Sequence, residues 1–396
     1  MWLARVERSV TTRLLLAITA LLPGWMAAQP RALLQQPAAR VSLPARTFDI
    51  PIDTNSAGAY YQLGVILLRA RPADAARAFY WASRLDPALA EAMYGRGVAI
   101  ALMLRDHGPE RAKGGAFLVP REDYRRVDSL RAQAYLRNPF VQITAERALL
   151  PPLVTDPVAM DPYFRGWLYL ISGSPHEAVK SYAEALVRQP QAKKIHAERA
   201  RAFYAMEQYD SSLTELNVLL ASLRRADDST LVHFYRSKAN LEYMVGIVQA
   251  KRGDLSAARA ALGRSLSEDL AFHPARSLLA YLDLVEGDTT SAIVEFENAV
   301  QLKPDDPVLR YNFGVTLLGA GQLDRAEAQL RRAIEIEPFY ALPRFYLGRT
   351  LELRGRDQEA MDTYREFYAR AAREDPAAAW TAKKLNIVER EDRHQP

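Results

Sequence analysis

The small residues of this chain recur with a period of 34, and no other feature limits its fold so strongly. Steps of 34 from Gly314 land on Gly246, Ala280 and Gly348, and from Gly321 on Gly253, Gly287 and Gly355. Ala326 leads in the same way to Ala258, Ala292 and Ala360. Three columns holding register over four consecutive copies mark stacked structural repeats, each too small to bury its apolar face alone. A fourth column is large and apolar (Leu262, Phe296, Leu330, Tyr364), and Pro304 and Pro338 close two of the copies.

The same spacing continues upstream. Gly166, Gly173, Ala178, Tyr182, Ala185 and Pro190 fall at matching offsets, and Ala200 opens a looser copy with Phe203, Ser212 and Leu216. Near the start Gly64, Ala75, Phe79, Ala82 and Pro87 match with one residue missing from the turn, and Gly97 opens an eighth copy. The second helix of that copy is expected between Tyr124 and Asn138, ended by Pro139. In each unit two helices of about 12–15 residues pair. Gly314 and Ala326 let their backbones approach, while Phe313, Leu317 and Leu330 interlock around the contact. Gly321 falls at the turn, where a positive φ costs glycine nothing.

This pattern resembles the tetratricopeptide repeat (TPR) family over about residues 57–372. The resemblance implies an all-α, right-handed α-solenoid of about eight TPR-like helix pairs. Residues 373–396, with Trp380, Leu385 and Val388 on one side, are expected to form a C-terminal capping helix and tail. Two places break the period. Ala200 to Gly246 spans 46 residues, a surplus of 12 expected in lengthened helices capped near Asp227, Asp228 and Ser229. Residues 105–123 carry Gly108, Pro109, Gly114, Gly115 and Pro120 and read as an irregular insert.

Ahead of the repeats, Arg5, Arg8 and Arg13 precede the uncharged run of residues 14–28, broken by Pro23 and Gly24. A basic start, a short apolar run and small residues at 27–28 read as a signal peptide over 1–28, cleaved near Ala28. An uncleaved N-terminal anchor is the alternative, and the only membrane contact implied. Residues 29–56, with Pro30, Pro37, Pro44 and Pro51, are expected to be a proline-rich extended linker. The chain is therefore expected to be exported to the periplasm or envelope of a bacterium.

A formal net charge of +5, evenly spread, implies no nucleic-acid partner, and the lack of cysteine removes disulfides and thiol chemistry. No catalytic, nucleotide or metal motif stands in the chain: HEAVK at 176–180 falls short of HExxH, and GRGVAI at 95–100 has two glycines of a dinucleotide fingerprint but no third. The six histidines lack metal-ligand spacing, and Asp305 and Asp306 read as helix caps. No catalytic residue, cofactor or metal is expected.

What remains is surface recognition. In TPR proteins the first helices line a concave face that binds a peptide or partner helix, and the residue three before each small position points there. Those residues are Tyr61, Tyr94, Tyr163, Ala197, Tyr243, Ser277, Tyr311 and Phe345, six of the eight aromatic. Trp167, Tyr204, Tyr281 and Arg349 extend the row. The resemblance thus implies a non-enzymatic scaffold holding a protein or peptide partner on an aromatic groove. Lys194, Arg201 and Arg349 are too few for a clamp on a partner's C-terminal carboxylate. An envelope enzyme or small-molecule binder using 105–123, or an anchored assembly factor, are the alternatives.

Overall fold

The computed structural model describes residues 43–68, 70–93, 95–100, 140, 162–171, 174–223 and 237–387, with the side chains of Phe164, Trp167, Leu168 and Ile171 excepted. Among these residues the chain is an all-α solenoid of fifteen helices and no strand. Seven pairs follow one another: α1 Ala57–Leu67 with α2 Pro72–Leu85, α3 Pro162–Ile171 with α4 Pro175–Arg188, and α5 Lys193–Ala205 with α6 Tyr209–Ser222. Next come α7 Lys238–Arg252 with α8 Leu255–Glu268, α9 His273–Glu286 with α10 Thr289–Leu302, α11 Pro307–Gly319 with α12 Leu323–Ile336, and α13 Leu342–Leu353 with α14 Asp357–Tyr368. A short α15, Pro376–Lys384, caps the array. From α3 onward every helix packs on the next, so each pair finds its core partly in its neighbour.

The periodic residues are the contacts between helices. A Cβ added to Gly314 would lie 2.8 Å from Leu330 Cγ, and one at Gly348 would lie 2.5 Å from Tyr364 Cε1. Only hydrogen fits there. Gly321 takes φ +72° one residue past Ala320, the C-cap of α11, the left-handed turn expected of it. Aspartate caps the starts of α8, α10, α11 and α15; at α11 Asp306 Oδ1 accepts from the amides of Val308 and Leu309 at 2.9 and 3.1 Å.

Several expectations fall outside the described residues: the signal segment, the insert at 105–123, the second helix expected at 124–138, and the proposed cap at 227–229. The described helices on either side of the 12-residue surplus, α6 and α7, have ordinary lengths of 14 and 15 residues.

One arrangement departs from a simple stack. Part of the proline-rich stretch is held against protein: Trp81 Nε1 donates to Pro44 O at 3.2 Å and the Tyr60 hydroxyl to Arg46 O at 2.6 Å. The pair α1–α2 in turn lies against the far end of the array. Arg84 Nε of α2 donates to Glu337 Oε2, at the end of α12, over 2.8 Å. The Trp81 and Phe339 rings meet edge to face, 5.1 Å between centroids. Further down the seam Asn55 Nδ2 donates to Ala369 O at 3.2 Å, Ser56 Oγ to Glu374 Oε1 at 2.5 Å, and the Arg373 amide to Asp53 Oδ2 at 2.9 Å. As a result α2 is buried nearly all round, with ten of its 14 residues inside.

Candidate partner-binding site

The aromatic row does not form one open strip. At the N-terminal end Tyr61 packs on Phe79 (5.8 Å), and burial raises the pKa of its hydroxyl. Tyr163 meets Tyr182 at 6.2 Å and carries the Lys194 ammonium 4.5 Å over its ring. Tyr204 stacks on Phe140 at 3.9 Å. Tyr243 is buried to 4% exposure in a core with Phe272, Ala258 and Leu262. Phe345 sits among Tyr346, Tyr364, Phe367 and Trp380, with centroids 5.2 to 6.2 Å away, so it fixes the capping helix. Arg349 lies 5.3 Å over the Trp380 ring on the same cap. Tyr94 lies outside the described residues, and so does the side chain of Trp167, which stands on α3. These residues share a helical stripe because the repeat dictates it, yet most of them spend their rings on the second helix of their own pair or on the turn or cap that follows it.

Two members differ. Tyr281 on α9 is 42% exposed while its ring still rests edge to face on Phe296, 5.7 Å away. Tyr311, one pair later on α11, faces Tyr340 and Tyr346 at 5.4 and 5.6 Å. Its hydroxyl is held well above the usual tyrosine range, first by burial and then by the neighbouring Tyr346. Tyr281 and Tyr311 border a pocket of about 430 Å³ with Asn312, Tyr340 and Asp375, and Asn55 and Asp86 close its other side. A lining that joins aromatic rings with amide, carboxylate and guanidinium groups (Asn312, Asp375 and Arg370) suits a side chain of a bound peptide better than a reacting group. Among the described residues no group of three or more His, Asp or Glu side chains is placed to hold a metal ion, and no helix is long and apolar enough to cross a membrane.

The cations weighed for a carboxylate clamp are engaged elsewhere. Arg201 is fully buried, its Nη1 2.6 Å from Glu198 Oε2, and Lys194 and Arg349 lie on the aromatic rings just named. A free basic set for a partner's terminus is not built from these three.

Sequence reasoning missed Phe339 and Tyr340, which follow Pro338 at a unit junction, and missed the outward face of α2 altogether. A signal for the second was present. In the column of Trp81 the other second helices carry Glu184, Val218, Arg264, Asn298, Arg332 and Glu366, and in the column of Arg84 they carry Val187, Ala221, Ser267, Gln301, Glu335 and Ala369. All of these but the half-buried Asn298 are exposed, whereas Trp81 and Arg84 are 1% and 3% exposed.

Two tetratricopeptide-repeat family models match the sequence, over residues 165–229 and 283–344. No curated protein matches it significantly. Similar solved structures include the C-terminal part of a TPR repeat-containing protein from Cytophaga hutchinsonii, 14% identical, covering 58% of this chain and 96% of its own, at TM-score 0.45. YrrB, described as a TPR protein with an unusual peptide-binding site, is 18% identical, covers 52% of this chain and 100% of its own, and scores 0.40. MamA from Desulfovibrio magneticus is 16% identical, covers 45% and 94%, and scores 0.37. Likeness at these scores carries no functional weight; the two sequence matches and the stacked helix pairs do.

Proposed function

This chain is a tetratricopeptide-repeat protein, and from that premise we propose that it is a non-enzymatic scaffold that holds a protein or peptide partner at the Tyr281–Tyr311 pocket. The carrying observation is the exposure of Tyr281 beside that pocket, while most other placed members of the aromatic row are committed to cores or to the cap. Aromatic rings in the lining give contact area at low entropic cost, and Asn312 and Asp375 beside them can orient a peptide backbone.

A photo-crosslinking residue placed at Tyr281 should recover one defined partner chain. The same residue at Val187, 83% exposed on another pair, should not recover it. Equal recovery from both positions would overturn the site. Tyr281→Ala should weaken capture at least tenfold while leaving helical content unchanged.

The proposal includes export. Its support is the basic start and short apolar run of residues 1–28. Sequencing the N-terminus of the mature chain from an envelope fraction should give a start near Gln29; a chain that retains residues 1–28 would contradict cleavage and favour an anchor.

A further inference from the structure

The contact between α2 and the corner after α12 has the composition of a ligand in a site. Glu337 is fully buried and Arg84 nearly so, a charged pair joining residues 253 apart in the chain. The guanidinium lies 5.1 Å over the Phe339 ring and donates to the Tyr80 hydroxyl at 2.6 Å. Trp81 closes the same ring edge to face. An arginine that is at once paired with a carboxylate and laid on an aromatic ring is read for shape as well as for charge.

Water reaches the seam on either side of this anchor. A solvent-open cleft of about 650 Å³ lies between residues 51–55 and the Tyr368–Ala379 end, and the 430 Å³ pocket, also open to solvent, lies along the same seam. The seam bonds at Asn55, Ser56 and Asp53 are mostly solvent-accessible, so water can replace them. A specific anchor flanked by clefts that water enters is a contact that a competing helix with the same groups can take over.

We infer that the Glu337–Phe339–Tyr340 corner is a docking site for a partner helix bearing an aromatic residue and, three positions later, an arginine, and that α2 is the resident stand-in which such a helix displaces. The inference rests on the scaffold reading above and adds to it the partner's chemistry and a built-in competitor. Displacement removes Asn55, Ala57 and Leu85 from the Tyr281–Tyr311 pocket and so opens it.

The cysteine-free chain makes the test clean. Spin labels at Ile66→Cys and Leu353→Cys, both on exposed positions, report the distance between α1 and α13 in the full chain. The probe is a synthetic peptide of residues 72–85. The unliganded chain should give one narrow distance, and saturating peptide should add a broad, longer population. Peptide carrying Arg84→Glu should bind the wild-type chain at least tenfold more weakly and should bind the Glu337→Arg chain best. If Glu337→Arg does not fold, the two peptides on the wild-type chain still decide. An unchanged distance at saturating peptide, or equal binding of both peptides, overturns the inference. A mass that doubles with concentration without peptide would show exchange of α2 between copies and overturns the resident arrangement. Loss of the Tyr281 crosslink with these distance changes intact would instead count against the scaffold reading alone.

Discussion

Helices α2 and α12 hold the same place in their pairs, yet only α12 turns its outward columns to solvent. Their inward columns agree: Ala75 and Ala326, Phe79 and Leu330, and Ala82 and Ala333 are all buried to zero exposure. Their outward columns diverge. On α12, Arg331, Arg332 and Glu335 are exposed and pair with one another's surroundings, as Arg332 does with Glu335 and Asp305. On α2, Tyr80, Trp81 and Arg84 stand at those places and are buried. The inward columns therefore decide that a helix pair forms, and the outward columns decide what the pair rests against. A repeat can keep its pairing pattern whole and still be a docking element.

Breaking the comparison at its buried charge has the largest expected effect. Glu337→Ala strands Arg84 without its carboxylate, and breaking a buried pair in this way costs about 3–5 kcal/mol. Glu335→Ala, two residues earlier on the exposed face of α12, should leave the urea midpoint unchanged. Equal effects would mean that the seam is not formed in solution. The inward columns are probed next: Gly348→Val drives a side chain into Tyr364 and should cost about 1–3 kcal/mol. It should do so by loosening α13 and α14, seen as faster amide exchange there, while α2 keeps its protection. The smallest effect is expected at the turns. Gly287 has φ +84° with open space around a new Cβ, so Gly287→Ala should cost about 1 kcal/mol from backbone strain alone. A larger loss would show that the turn also makes contacts.

The helix pairs could be read from sequence because their determinants are local and repeated. Gly314 against Leu330 and Gly348 against Tyr364 are contacts 16 residues apart, and a fixed spacing exposes them. The site was less accessible to such reading. Tyr243, Tyr311 and Phe345 occupy one column, yet Tyr243 is in a core, Phe345 holds the cap and Tyr311 borders a pocket. Identical register gives identical direction, not identical surroundings, and the surroundings of Tyr311 include residues from the other end of the chain. The Arg84–Glu337 contact has no period to reveal it. Its trace in the sequence is a departure from a column, an aromatic residue and an arginine where the other copies carry mostly polar or small residues.

The central claim is that α1–α2 docks through its outward face onto the end of α12. A double-mutant cycle tests it most directly. Arg84→Ala, Glu337→Ala and the double variant are unfolded in urea beside the wild-type chain, and the coupling energy is taken from the four stabilities. Direct contact between buried partners predicts a coupling of about 2 kcal/mol or more, with the double variant far less damaged than the sum of the singles. Strictly additive losses would contradict the docking and return the first pair to a free end of the solenoid.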